Sequence, residues 1–253
     1  MFSRPVLVTK LKAFGVHLAM SLVAFAYLTY QVYYNWYPQP YFAIDGGWQG
    51  MRLIAGVDLV LGPLITFLIF DLRKKRREIL FDLAIILIFQ FTALAYGVYT
   101  TYTQRPVAAI LIADMMITAT MEQYGGKLGS ASDLQRYSNA KPPIIFSDFP
   151  RTMEGVEKAQ RIKAEEGVME HAQMEHYRSQ PELKIELARS QPRLMGLLDS
   201  LKGRPDLDSW LQEHGKRADE VYLEYLAARD GSAWMVFDRD ANWIGYFYVD
   251  EES

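Results

Sequence analysis

No cysteine occurs among the 253 residues. This excludes disulfides, thiolate nucleophiles and cysteine-ligated metals, and leaves the redox compartment open. Nor does the chain contain a glycine-rich phosphate loop, a nucleophile elbow or an ordered catalytic triad pattern. Histidines number only four. The run MEHAQMEH sets His171 and His176 off a common helical face, and only His171 with Glu175 has i, i+4 spacing. That is neither a HExxH pair nor a closed ligand set, so no metal and no cofactor is expected. The second part of the chain also lacks a basic excess. Residues 105–253 carry 18 Lys/Arg against 25 Asp/Glu, which argues against nucleic acid as a partner.

Charge is scarce where the chain is most apolar. Residues 1–104 hold nine Lys/Arg and five Asp/Glu around three long hydrophobic runs. Crossing a hydrocarbon core about 30 Å thick takes roughly 20 apolar residues. Residues 14–36, 50–70 and 79–99 meet that length and predict three transmembrane helices. Tyr33, Tyr34, Trp36, Tyr37 and Trp48 crowd one boundary, as an interfacial aromatic belt does. The first run exceeds an ordinary signal segment, and NWYPQP is no small-residue cleavage site, so it is expected to remain as a span. The N-terminus carries three Lys/Arg, the 37–49 loop none and the 71–78 loop five, Arg73–Arg77. The positive-inside rule then puts the N-terminus and the second loop in the cytoplasm, and the first loop and everything after about residue 100 across the membrane. The expected organisation is a three-span membrane domain, 1–104, followed by an extracytoplasmic domain, 105–253.

Polar groups within the spans are costly, about 3 kcal/mol for a mid-bilayer carboxylate, and normally face protein or water. Depth matching makes Gln90 the best partner for Asp58. His17, Thr66 and Asp82 fall at a second common depth, and Arg52 lies near enough to the outer end to snorkel. Gly15 with Ala19 and Ala93 with Gly97 are small pairs suited to close helix packing. Pro63, beside Gly62, removes the amide that would bond Leu59, so the second helix is expected to kink just past Asp58, making room for a partner helix. An intramembrane aspartyl protease does not fit. Ala55-Gly56-Val57-Asp58 lacks the second glycine of the Gly-x-Gly-Asp element, and Asp82 lies at another depth, whereas a dyad needs its acids within a few ångström. The in-span polar groups are therefore read as packing between helices in preference to a proton path.

GGWQGMRLIAGVDLVLGPLITFLIF, AYGVY and RPVA, with KAFGVHLAMSL before them, resemble the type IV pilin accessory proteins of the TfpX/TfpZ group. The stretch Ala55–Leu64 is the most specific part, and the resemblance covers about the first 110 residues. It implies a multi-pass protein of the bacterial inner membrane with its C-terminal domain in the periplasm. The implied role is a chaperone-like helper that binds a type IV pilin subunit, and other pilus assembly proteins, and assists pilin stability, assembly or display. No catalytic residue is carried over. Trp48, Arg52, Gly56, Asp58, Gly62, Pro63, Asp82 and Gln90 are the structural or partner-binding signature.

For the outer domain the pattern predicts an α+β fold. Residues 106–120 read as a strand interrupted near Asp114, and KPPIIFSDFP as a short extended segment. A charged helix follows over 152–177, then helices at about 182–189, 193–201, 206–214 and 218–229. The terminal SAWMVFDRDANWIGYFYVDEE is a β-hairpin. Strand alternation groups Trp243, Gly245, Phe247 and Val249 on one side and Ile244, Tyr246 and Tyr248 on the other. With both sides apolar or aromatic, the strand reads as buried on both faces; the alternative is an exposed face or edge that receives another chain, with Trp243, Tyr246 and Tyr248 as the partner surface. Two other functions compete with pilin binding: a membrane-bound enzyme that modifies pilin or an envelope glycan, and a sensor. The sensor ranks last, because cytoplasmic parts of about 13 and 8 residues are too short for an output domain.

Overall fold

In the computed structural model, residues 4–71 and 73–248 are described. Three helices are long and apolar enough to cross a membrane: Val6–Trp36, Gly47–Ile69 and Arg76–Thr103. A mixed α+β unit follows them, so the fold is a three-helix membrane unit plus an α+β domain.

The first crossing is α1 (Arg4–Tyr30), continued by a π-helical turn, Gln31–Trp36. A short α2 (Tyr41–Ile44) lies between the first two crossings. The second crossing joins α3 (Gly47–Ala55) to α4 (Gly62–Ile69) through a π-helical turn, Gly56–Leu61. Asp58 sits in that turn, and Gly62 and then Pro63 follow it. A proline withholds one amide from the ladder, and a widened turn is one way a helix absorbs that loss. The third crossing is the continuous α5 (Arg76–Thr103). Many of the large apolar side chains of these helices are exposed, among them Val23, Leu68, Phe89 and Phe91, as residues facing hydrocarbon are.

The chain forms two compact units. The first runs up to Tyr37 and resumes over Gly46–Thr103; the second comprises Pro38–Asp45 and the chain from Gln104 onward. The second unit is built on a seven-stranded sheet in the order β4-β3-β1-β2-β5-β6-β7. β1 (Ala108–Ile112) and β2 (Met115–Ala119) form a hairpin whose turn holds Ala113 and Asp114 at positive φ, the expected interruption. β3 (Ile144–Ser147) runs parallel to β1, and α6 (Met153–Glu166) ends at Gly167 with φ 69°. β4 (Tyr177–Arg178) pairs with β3. Next come α7 (Gln180–Ser200) and α8 (Arg204–Glu213). β5 (Val221–Ala227), β6 (Ser232–Asp238) and β7 (Trp243–Phe247) complete the sheet as an antiparallel meander.

Three sequence expectations are corrected here. Residues 221–227, expected as helix, form β5, the strand that joins the two halves of the sheet. VYLEYLA is apolar on both sides, and pairing with β2 and β6 overrides the helix preference of its Leu, Glu and Ala. The two helices expected at 182–189 and 193–201 are one, α7, with Pro192 inside it. Ser190-Gln191-Pro192 looks like a helix start, yet the proline costs one ladder bond while the apolar face continues through Leu187, Leu194 and Leu198. In the last strand, the register slips so that Phe237 faces Trp243 and Val236 faces Gly245. Ile244 is the extra residue of this bulge, which turns Trp243 to the side of Tyr246 and away from that of Phe247. Val249 lies outside the described residues.

α7 serves both faces of the sheet. Leu183 and Leu187 pack with Tyr222, Leu226 and Phe237, while Leu194 and Leu198 pack with Val221, Leu223 and Trp234. Successive β5 side chains point to opposite faces, so the helix crosses from one side to the other. It crosses where β2 and β5 share only two paired positions. There the Gln191 side chain donates to Leu223 O (2.8 Å) and accepts from Leu223 N (2.9 Å), taking the place of a strand.

Candidate functional site

The polar groups of the membrane unit fall into layers. In one, Asp58 is 3 % exposed and its Oδ1 accepts from Ser21 Oγ at 3.0 Å and from Gln90 Nε2 at 2.7 Å. One carboxylate oxygen thus links all three crossings. Asp58 Oδ2 and Gln90 Oε1 are buried without a hydrogen-bond partner. Gly62 makes the approach of Gln90 feasible: a Cβ there would stand 2.5 Å from the Gln90 amide. Gly62 and Pro63 are both buried, so the close approach expected of a partner helix at Gly62 is taken by the chain's own third crossing.

In the next layer His17 Nδ1 and Thr66 Oγ1 are 2.6 Å apart. Asp82, expected at the same depth, instead forms an ion pair with Lys74 at 2.6 Å. Lys10 is buried and its Nζ donates to Phe67 O (3.1 Å) and Leu68 O (2.7 Å), carbonyls in the last turn of α4. A cation there satisfies orphan carbonyls and favours the negative end of the helix dipole. Nothing in the sequence pattern marked Lys10 apart from its neighbours as more than an orientation charge. Beyond α4, Asp71 is held down to about 2 by hydrogen bonds from Arg73.

Toward the other end Gly50 and Gly97 bring α3 and α5 together. A Gly50 Cβ would lie 2.7 Å from Thr101 Oγ1, and one on Gly97 would touch Ile54. Tyr37 donates to Thr101 O at 2.9 Å. Trp48 and Arg52 are exposed, as is Gly56. An apolar groove of about 530 Å³ opens between α1 and α5, lined by Val16, Met20, Leu83 and Leu87, with Thr66 of α4 also lining it.

In the second unit Tyr41 and Ile44 join the core of Met235 and Phe237, and Ile44 O accepts from Asp230 N at 2.8 Å. Asp45 beside them is buried, accepts from Arg229 N and is pushed up to about 6, chiefly by burial. Glu224 on β5 is fully buried, with Ser190 Oγ at 3.5 Å and Tyr225 N at 3.1 Å, and burial pushes it up to about 8. Enclosed by protein on every side, it cannot come within hydrogen-bond reach of a substrate, as a general acid must. His171 faces Gln123 Oε1 at 3.1 Å and His176 faces Glu175 at 3.5 Å; burial lowers the pKa of both imidazoles. Trp243, Tyr246 and Tyr248 come together: the first two are half-buried on one core, and the rings of Tyr246 and Tyr248 lie 5.5 Å apart. Trp243 donates its indole N–H to Gly245 O at 2.7 Å.

The family described as fimbrial assembly protein FimB matches residues 5–46. A fimbrial assembly protein of Dichelobacter nodosus, serogroups C1 and C2, is 37 % identical over 103 residues, 41 % of this chain and 79 % of that protein. The serogroup I and E1 proteins of the same organism are 37 % and 36 % identical over 103 residues. For these two the match spans 40 % of their length, so much of each lies outside it. No solved structure matches the chain. On the likeness to the serogroup C1 and C2 protein, the chain belongs to the fimbrial assembly protein family.

Proposed function

We propose that this chain is an inner-membrane accessory protein of type IV pili, which binds a pilin subunit and assists its stability, assembly or display. The likeness to fimbrial assembly proteins over 103 residues carries this reading. The relatives are named for assembly and not for a reaction, which supports a non-enzymatic role. The Lys/Arg asymmetry of the loops supports a cytoplasmic N-terminus and a periplasmic α+β domain. Asp58 bonds Ser21 and Gln90, and His17 bonds Thr66, which supports polar groups used to hold the helices together. The groove between α1 and α5 is the proposed seat of the pilin's apolar helix, and the Trp243, Tyr246 and Tyr248 surface the proposed contact with its head.

Photo-cross-linking amino acids at Val16, Met20, Leu87 and Tyr246, introduced one at a time into the full chain in its host, test this. The expected result is capture of the pilin, together with a deletion strain whose pilin is chemically unaltered but poorly assembled. Pilin that lacks a covalent modification in the deletion strain, restored by the purified protein, would replace the accessory reading with the enzyme reading.

A further inference from the structure

The sheet ends at β7, whose outer edge pairs with no strand among the described residues. Helix α8 packs over this end. Trp210 is buried, and a Cβ on Gly245 would lie 2.7 Å from its ring, so the glycine lets helix and strand meet. His214 stacks on Trp210 with centroids 4.0 Å apart. Between α8 and residues 245–248 runs an open groove of about 450 Å³. Asp206 and Glu213 line it from one face of α8, two turns apart, and neither forms an ion pair among the described residues.

We propose that this groove takes an extended polypeptide segment bearing basic side chains, added to β7 as an eighth strand. An edge strand offers a row of backbone N–H and C=O groups that an incoming segment pairs with, whatever its sequence. Alternate side chains of that segment point to one face. On the α8 face they meet the ring of His214 and two carboxylates that lack a cation, which selects Lys or Arg. The same charges decide against a second copy of this chain. Joining β7 to β7 would bring two sets of Asp206 and Glu213 together, and Asp250, Glu251 and Glu252 follow β7 in sequence. Like charges across such a seam are repulsive. The inference deepens the pilin-binding reading by giving the outer surface a mode of contact and a partner chemistry.

The test uses the full chain in phosphatidylcholine nanodiscs and no pilin, so its failure is separable from failure of pilin capture in the membrane. The probe is a fluorescein-labelled nonapeptide alternating lysine with valine, read by anisotropy. The expected result is saturable binding that falls about tenfold or more, about 1.4 kcal/mol, in the Asp206→Asn, Glu213→Gln double variant. It should fall as far when alternate backbone amides of the peptide are N-methylated. A glutamate-for-lysine peptide should not bind. Equal binding of the N-methylated peptide would overturn strand addition, since surface charge alone then suffices. Absence of binding by the lysine peptide would overturn the proposal outright. So would a disulfide-linked dimer of the Tyr248→Cys chain that blocks the peptide, because the edge would then belong to a second copy.

Discussion

Gln90 reaches Asp58 across the face of Gly62, with 2.7 Å between Nε2 and Oδ1 and no room for a Cβ in between. Two residues one turn apart on the second crossing and a third on the next crossing therefore depend on one another. An acid within an apolar helix needs a donor, the donor needs an approach, and the approach needs a glycine. Gly62→Ala should force the Gln90 amide aside and lower the stability of the membrane unit by about 1–3 kcal/mol. Gly62→Ala combined with Gln90→Ala should recover part of that loss, because the clash is gone although the donor is too. Unfolding of the purified chain in detergent, run as a double-mutant cycle, checks it. Strict additivity of the two changes would mean that Gln90 does not rest on Gly62.

Asp58→Asn preserves the shape and one oxygen to accept from Ser21 and Gln90. It should leave protein level and pilus output near wild type. Asp58→Leu leaves Ser21 and Gln90 without their acceptor and should lower the level of protein, since a stranded buried polar group costs about 1–3 kcal/mol. Immunoblots and pilus counts measure both. Loss of pili with the Asn variant at normal protein level would make the ionisable group itself necessary and sink the packing role.

The topology read from loop charge is tested by single cysteines in this cysteine-free chain. Ser132 and Lys75 are both exposed. A membrane-impermeant thiol reagent applied to intact spheroplasts should label a cysteine at 132 and not one at 75. The reverse pattern would invert the orientation.

The membrane unit was far more legible in the sequence than the α+β domain. A span is forced by length and hydropathy alone, and within a thin slab depth leaves few possible partners, which is why Asp58 and Gln90 could be matched without coordinates. Asp82 escaped the same logic because it lies near the end of its helix, where Lys74 of the loop reaches it. In the α+β domain the failures come from long-range pairing. β5 is a strand because β2 and β6 flank it, and no local pattern states that. The side of Trp243 was misassigned because alternation assumes an unbroken strand, whereas the bulge at Ile244 shifts every residue before it to the other face. Gln191 standing in for a strand at Leu223 left no sequence signal either.

Glu224 makes the stability of the α+β domain depend on pH, and the sign follows from its burial. Its pKa rises from 4.5 in the open chain to about 8 in the fold, so the folded state holds a proton that the unfolded state has lost. The stability this gives is fully present below about 4.5 and is lost as pH rises to about 8. A shift of that size on a fully buried group is worth at most about 4–5 kcal/mol. Asp45, raised to about 6, acts in the same direction over a lower window. His171 and His176, lowered by burial, act oppositely, since buried neutral imidazoles favour unfolding as pH falls. The native chain alone therefore gives a mixed profile, and comparison with Glu224→Gln isolates the carboxyl. Glutamine keeps an acceptor for Ser190 and Tyr225 and carries no charge at any pH. The variant should melt at nearly the same temperature as wild type at pH 5. At pH 8.5 it should melt several degrees higher, because wild type must then bury a carboxylate with two weak donors and no cation in contact. Thermal unfolding followed by near-ultraviolet circular dichroism of the full chain across pH 5–8.5 makes the measurement. A difference between the two proteins that stayed constant with pH would mean that Glu224 does not titrate in the fold over this range.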